Sequence, residues 1–179
     1  MTGRLHMTNV NHAIAIMKRV SDRSDRLNMA CWQYNSGNFI IVDESFAHEC
    51  GTIACFAGWV AMSPEFQEDG GWPHPSSGSP CIVVGGNDSL AISPEVRDTL
   101  RFNVIPLCEG DREREMASGN AAIAAWLDIP EGDAGILMAT MELEDSERLY
   151  GVECTSQVKP AHVIRVLERL RGAGTIWGC

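Results

Sequence analysis

The chain has 179 residues and a formal net charge of −10, long enough for one domain with a substantial core. With 45% hydrophobic and 21% charged residues it has the balance of a soluble globular protein, and its acidity argues against non-specific nucleic-acid binding, which depends on Lys and Arg neutralising phosphates. No apolar run reaches the roughly 20 residues of a membrane helix; no export signal is recognisable, and an odd count of seven scattered cysteines fits reduced thiols in a cytoplasm.

Residues 1–6 (MTGRLH) read as a vector remnant, with Met7 as a natural start, leaving 7–179 as a single globular domain. Asn9 to Arg26 follows helical spacing, with Val10, Ala13, Ile14, Met17 and Val20 on one side, charges on the other, and Asn9 or Asn11 as cap. Leu27 to Tyr34 alternates as a short strand. Asn35-Ser36-Gly37-Asn38 signals a turn, and Phe39 to Val42 pairs back as a hairpin.

His48 to Met62, HECGTIACFAGWVAM, is the stretch around which the chain is organised. From Gly51 onward it carries no charge, and on a helix it shows one bulky stripe (Ile53, Phe56, Ala57, Val60) and one small stripe (Gly51, Ala54, Cys55, Gly58, Ala61). A helix apolar all round is an interior helix, and Gly58 in its middle implies close packing against the backbone. Pro64 ends it. The Gly-, Pro- and Ser-rich stretch 65–80 is expected to be a mobile or ligand-covering loop. Cys81 to Val84 is a buried strand stopped by Gly85-Gly86-Asn87-Asp88; no phosphate-loop or dinucleotide fingerprint occurs.

Ser93-Pro94-Glu95 opens a helix to about Arg101. Helices follow over 117–127 and about 134–141, joined by Ile129-Pro130-Glu131-Gly132-Asp133. The pair has the spacing of a helix-turn-helix, but its second member turns acidic and would be repelled by DNA, so a packing corner is the better reading. Pro160 opens the last helix, and Gly172 to Gly174 closes it. The expected fold class is α+β: a mostly helical single domain of four to six helices around a buried central helix, with a small antiparallel β-sheet.

Three constellations bear on chemistry. Cys50, placed before a helix start, is in the position of a cysteine nucleophile of lowered pKa, with His48, His74 or His162 as base and Asp88 or Asp43 as orienter. Glu44 and Glu49 oppose that lowering, and a small capping role for Cys50 is the alternative. His48, Cys50, Cys55, His74 and Cys81 are zinc-type ligands, but their spacing does not match a structural site, so no metal is assigned. Thirdly, the N–H groups of Gly51, Thr52 and Ile53 would form an anion-accepting helix start, walled by Trp32, Tyr34, Trp59 and Trp72, which suits a nucleotide-like anion. The competing reading places the tryptophans in the core and caps the helix internally. Arg165, Arg169 and Arg171, with Lys159 upstream, are the one dense basic group.

At Cys50 to Trp59, CGTIACFAGW, the chain resembles a family of small proteins encoded by bacteriophages and some bacteria, marked by CGTxxCxAG followed by Trp or His. The likeness extends to Leu27–Trp32, similar to the FDMxxW segment that precedes the motif in such proteins, and to Ala124–Ile129 and Pro160–Leu170. About half the chain is covered. The chain departs from the family in a longer insert between Trp32 and Cys50 and in the Gly/Pro/Ser stretch after the motif. The resemblance brings no activity with it; it implies a phage accessory product in the host cytoplasm. Together these readings lead to an expected binding protein for a small anionic or nucleotide-like ligand, with a possible anti-defence role and no cofactor. The alternatives are a cysteine-dependent hydrolase or transferase using Cys50 with His74 or His48, and an inhibitor of a host protein acting through an acidic surface.

Overall fold

The computed structural model describes residues 5–22, 26–29, 33–34, 53–84, 90–100, 104–106, 115–138, 143–153 and 155–177. The fold is α+β and mostly helical. Its first helix, α1 (Met7–Ser21), buries Val10, Ala13, Ile14, Ile16, Met17 and Val20 along one stripe. It starts earlier than the expected Asn9, and Asn9 is no cap: its buried amide donates to the carbonyl of Trp126 at 2.8 Å. The helix ends at Ser21 rather than Arg26, with the N–H of Asp22 closing on Val20.

Leu5 and His6, at the end of the first six residues, are built into the fold. Leu5 packs against the core, the His6 N–H donates to the Leu127 carbonyl at 3.3 Å, and the His6 ring nitrogen Nδ1 meets the Trp126 carbonyl at 3.2 Å. These contacts satisfy carbonyls that the end of a helix leaves open.

The expected interior helix is shorter than the apolar run. Strand β1 (Gln33–Tyr34) pairs antiparallel with β2 (Ile53–Ala54), Gln33 opposite Ala54 and Tyr34 opposite Ile53. Only then does α2 (Phe56–Met62) begin, with every residue buried. Its N-cap is Cys55, in extended conformation, whose Sγ accepts the N–H of Gly58 at 3.4 Å. A uniformly apolar run carries no period, so β-branched Ile53 could enter a ladder without altering the pattern. The predicted turn at 35–38 and strand at 39–42 lie outside the described residues.

Ser63 joins α2 to α3 (Pro64–Glu68): its Oγ donates to the Val60 carbonyl at 2.8 Å and accepts the Phe66 N–H at 3.3 Å, with Pro64 in the first turn, where its missing N–H costs nothing. Stretch 65–80 is therefore not loop throughout. It is α3 followed by a hairpin of β3 (Gly71–Pro73) and β4 (Pro80–Val84), closed by His74 N–H to the Ser79 carbonyl at 2.7 Å and Gly78 N–H to the His74 carbonyl at 2.9 Å.

Helix α4 (Pro94–Leu100), strands β5 (Val104–Pro106) and β6 (Glu115–Ser118), and helix α5 (Asn120–Leu127) follow. The sheet is antiparallel in the order β3-β4-β6-β5, and it takes Ala117 and Ser118, which the sequence assigns to a helix. In α5, residues 121–127 are all buried; four alanines let it approach both β4 and β6 closely. Asp128, left-handed at φ 55°, ends α5, and its buried Oδ1 accepts the Ser93 N–H at 2.8 Å, fixing the start of α4.

Helix α6 (Glu131–Leu137) begins three residues before the expected position and buries Ala134, Gly135 and Leu137 against α5. The two-helix unit is thus a packing corner. Helix α7 (Leu143–Tyr150), not foreseen, and α8 (Pro160–Ala173) complete eight α-helices among the described residues. The largest helix contact joins α1 to α8. Buried residues from α1 through α8 form one hydrophobic cluster. No helix among the described residues is long and apolar enough to cross a membrane.

Candidate functional site

The residues singled out by the sequence part company in the structure. Trp32, His48, Cys50, Gly51 and Thr52 lie outside the described residues. Ile53 is in β2, half-buried, and α2 opens at Phe56 with its first turn closed by the Cys55 thiol. Ile53 is thus part of a strand rather than of a helix start, and the cap of α2 is Cys55.

Trp59 is no pocket wall. It is fully buried, and its indole Nε1 donates to the Arg26 carbonyl at 3.3 Å. A tryptophan inside a core must place its one N–H, and the bond ties α2 to the chain beyond α1. The Cys55 and Cys81 thiols are both buried. Burial pushes the Cys81 thiol up from its ordinary range, the opposite of what a nucleophile needs.

Trp72 and His74 do share a surface. Along β3 and the residue after it, Gly71 and Pro73 are buried while Trp72 and His74 are half-buried, the alternation of a strand with one face turned inward. Trp72 stands opposite Cys81 of β4. Past it, His74-Pro75-Ser76-Ser77-Gly78 turns the chain. His74 Nδ1 accepts the backbone N–H of Ser76 at 3.3 Å and meets the Ser76 hydroxyl at 3.0 Å. Ser77 and Ser79 hydroxyls bond to each other at 2.9 Å.

The Ser76 N–H can only donate. Nδ1 is therefore the acceptor nitrogen of the neutral imidazole, and the ring proton sits on Nε2. A base paired with a thiol needs an unprotonated ring nitrogen free to reach the sulfur, and here that nitrogen is Nδ1, already engaged by Ser76. His74 instead offers an N–H.

The turn also rests on β1. Gly78 has φ +70°, and a β-carbon there would stand 2.9 Å from Cδ and Cγ of Gln33. Gln33 pairs with β2, which continues directly from the Cys-Gly-Thr triplet. The site thus gathers Trp72, His74, Ser76 and Gln33. Ser76 and Gln33 were not foreseen; the His-Pro-Ser-Ser-Gly string was legible as a turn, but the ring nitrogen it engages was not. Among the described residues no group of three or more His, Cys, Asp or Glu is placed to hold a metal ion.

The remaining histidine weighed as a base, His162, is also engaged in structure: its Nδ1 accepts the Lys159 N–H at 3.2 Å at the start of α8. Of the basic group, Arg165 donates to the Tyr150 carbonyl at 2.6 Å, Arg169 to the Ile176 carbonyl at 3.0 Å and Arg171 to Asn11 Oδ1 at 3.2 Å. Compared with protein-family models, with curated proteins and with solved structures, the chain matches none.

Proposed function

We propose that the protein is a phage-type accessory protein, acting in the host cytoplasm, that binds a small anionic or nucleotide-like ligand without turning it over. The single observation that carries this reading is the hydrogen bond from the Ser76 N–H to His74 Nδ1. With Nδ1 accepting from Ser76, the half-buried ring has Nε2 left as its donor, and the half-buried Trp72 indole lies on the same strand face. An aromatic plane beside a fixed N–H suits a base or another flat group bearing an acceptor. Because the surface as a whole is acidic, capture of an anion has to rest on such local donors rather than on bulk charge. The phage assignment and an anti-defence role rest on the resemblance at CGTIACFAGW.

Calorimetry and thermal-shift screening against mono- and dinucleotides test the proposal. Binding to the intact protein, weakened by Trp72→Ala and His74→Ala while both variants stay folded, is the expected result. No heat or shift with any nucleotide would remove it. The cysteine-enzyme alternative makes its own demand: Cys50 would alkylate with iodoacetamide near neutral pH far faster than the other cysteines. An acidic inhibitor of a host protein would instead show salt-sensitive pull-down that ignores both Trp72 and Cys50.

A further inference from the structure

The turn between β3 and β4 carries three serines, and one of them faces a base. Ser76 Oγ lies 3.0 Å from His74 Nδ1, the nitrogen that also accepts the Ser76 N–H at 3.3 Å. A nitrogen that accepts carries no proton, so the Ser76 hydroxyl is the donor and its O–H is directed at the imidazole. An alcohol hydrogen-bonded to a neutral imidazole is the pair from which a nucleophilic hydroxyl is made, because the ring can take the proton as the oxygen attacks. The other two serines are engaged with each other. Ser77 and Ser79 Oγ atoms meet at 2.9 Å, and Ser77 Oγ also accepts the Ser79 N–H at 3.3 Å.

The pair is both held and reachable. Two backbone bonds close the turn around it, from the His74 N–H to the Ser79 carbonyl at 2.7 Å and from the Gly78 N–H to the His74 carbonyl at 2.9 Å, and Pro75 between base and hydroxyl has its φ fixed by the ring. Ser76 is exposed and His74 half-buried, so a reagent can approach the oxygen. The N–H of Ser77, next in the chain, meets no acceptor among the described residues; in serine hydrolases of the nucleophile-elbow type, the residue after the nucleophile supplies such a donor to the oxyanion. Trp72, on the same strand face as His74, offers a flat apolar surface to an aromatic group.

We propose that Ser76 is an acyl-acceptor hydroxyl, with His74 as its general base and activated aryl esters as its donors. Ser76 Oγ attacks the ester carbonyl carbon and forms the new C–O bond while its proton passes to His74 Nδ1. The bond from that carbon to the aryl oxygen breaks, the aryl oxide leaves with the electron pair, and the ring returns the proton to solvent. This chemistry is separate from nucleotide capture and does not require it. Incubation of the full chain with p-nitrophenyl acetate, followed by nitrophenolate release and by peptide mapping after acid quench, tests it. Acetyl should appear on Ser76 at least roughly tenfold faster than on Ser77, and His74→Gln should slow the Ser76 reaction by at least roughly tenfold, the low side of what a positioned base contributes. Ser76→Ala should lower nitrophenolate release, whereas Ser77→Ala should leave it unchanged, with the thermal midpoints of all three variants showing that they are folded. The proposal is overturned if Ser76 and Ser77 are acetylated at equal rates, or if His74→Gln leaves the Ser76 rate as it was. It is overturned equally if no acetyl reaches Ser76 and Ser76→Ala releases nitrophenolate as fast as the intact protein.

Discussion

Replacing Gly71 with alanine puts a β-carbon into space that Phe66 already fills. It would stand 2.2, 2.3 and 2.6 Å from Cε1, Cδ1 and Cζ of the ring, where carbon atoms ordinarily approach to about 3.5–4.0 Å. The ring cannot retreat. Phe66 is fully buried and meets Trp126 edge-on, with centroids 5.5 Å apart and planes at 84°. Trp126 is in turn held by its Nε1–H bond to Asp69 Oδ2 at 2.8 Å. Either β3 moves away from α3 or the aromatic pair is displaced. Overpacking costs about 1–3 kcal/mol, and an overlap this deep against a braced ring belongs at the upper end, about 3 kcal/mol. For a domain of this size the loss lowers Tm by roughly 6–12 °C. Urea denaturation of Gly71→Ala, Phe66→Leu and the double variant measures it. Phe66→Leu alone leaves a cavity, but it also makes room for the new methyl group, so the double variant should be more stable than the two losses added, by at least about 0.5 kcal/mol. An unchanged urea midpoint for Gly71→Ala, or strict additivity, would refute the reasoning.

Gly58→Leu should abolish cooperative folding or cost ~1–3 kcal/mol or more, since Gly58 lies inside a helix with no exposed residue; an unchanged urea midpoint would rule this out. Cys55→Ala should cost about 0.5–2 kcal/mol by leaving the Gly58 N–H without its cap, while Cys55→Ser, which keeps an acceptor, should lose less; equal losses would show that the thiol only fills space. The His162 pKa is held below the ordinary imidazole value by burial and then by Arg165 and Lys159. The unfolded chain therefore takes up the proton first, so this contribution to stability is full above the unfolded value of 6.5 and fades as pH falls below it. His162→Gln should flatten stability against pH on that acidic side, and an unaltered slope in denaturant midpoints would count against the assignment.

The residues show why some elements are readable from the chain and others are not. α8 is bracketed by Pro160 and Gly174, and α4 is announced by Ser93-Pro94-Glu95; local chemistry decides both boundaries. The alternation that hides α3 and the β3–β4 hairpin inside a Gly- and Pro-rich stretch is too short to outweigh its composition. The triplet-led run fails for a different reason. Where every residue is apolar, strand and helix bury it equally well, and the choice falls to Gln33 and Tyr34, far away in sequence. At the site, Trp72 and His74 were legible as residue types suited to binding. The direction of the imidazole proton was not, because it depends on one backbone N–H two residues further on.

The pairing of α1 with α8 has a consequence for the birth of the molecule. On the ribosome α1 emerges with its greasy flank uncovered, and the partner that shields it is made only after helices α2 to α7. Asn9 and His6 likewise wait for the carbonyls at Trp126 and Leu127. Closure of the interior is thus postponed until α8 has been made, and the nascent chain must spend that interval sheltered by chaperones or by transient collapse.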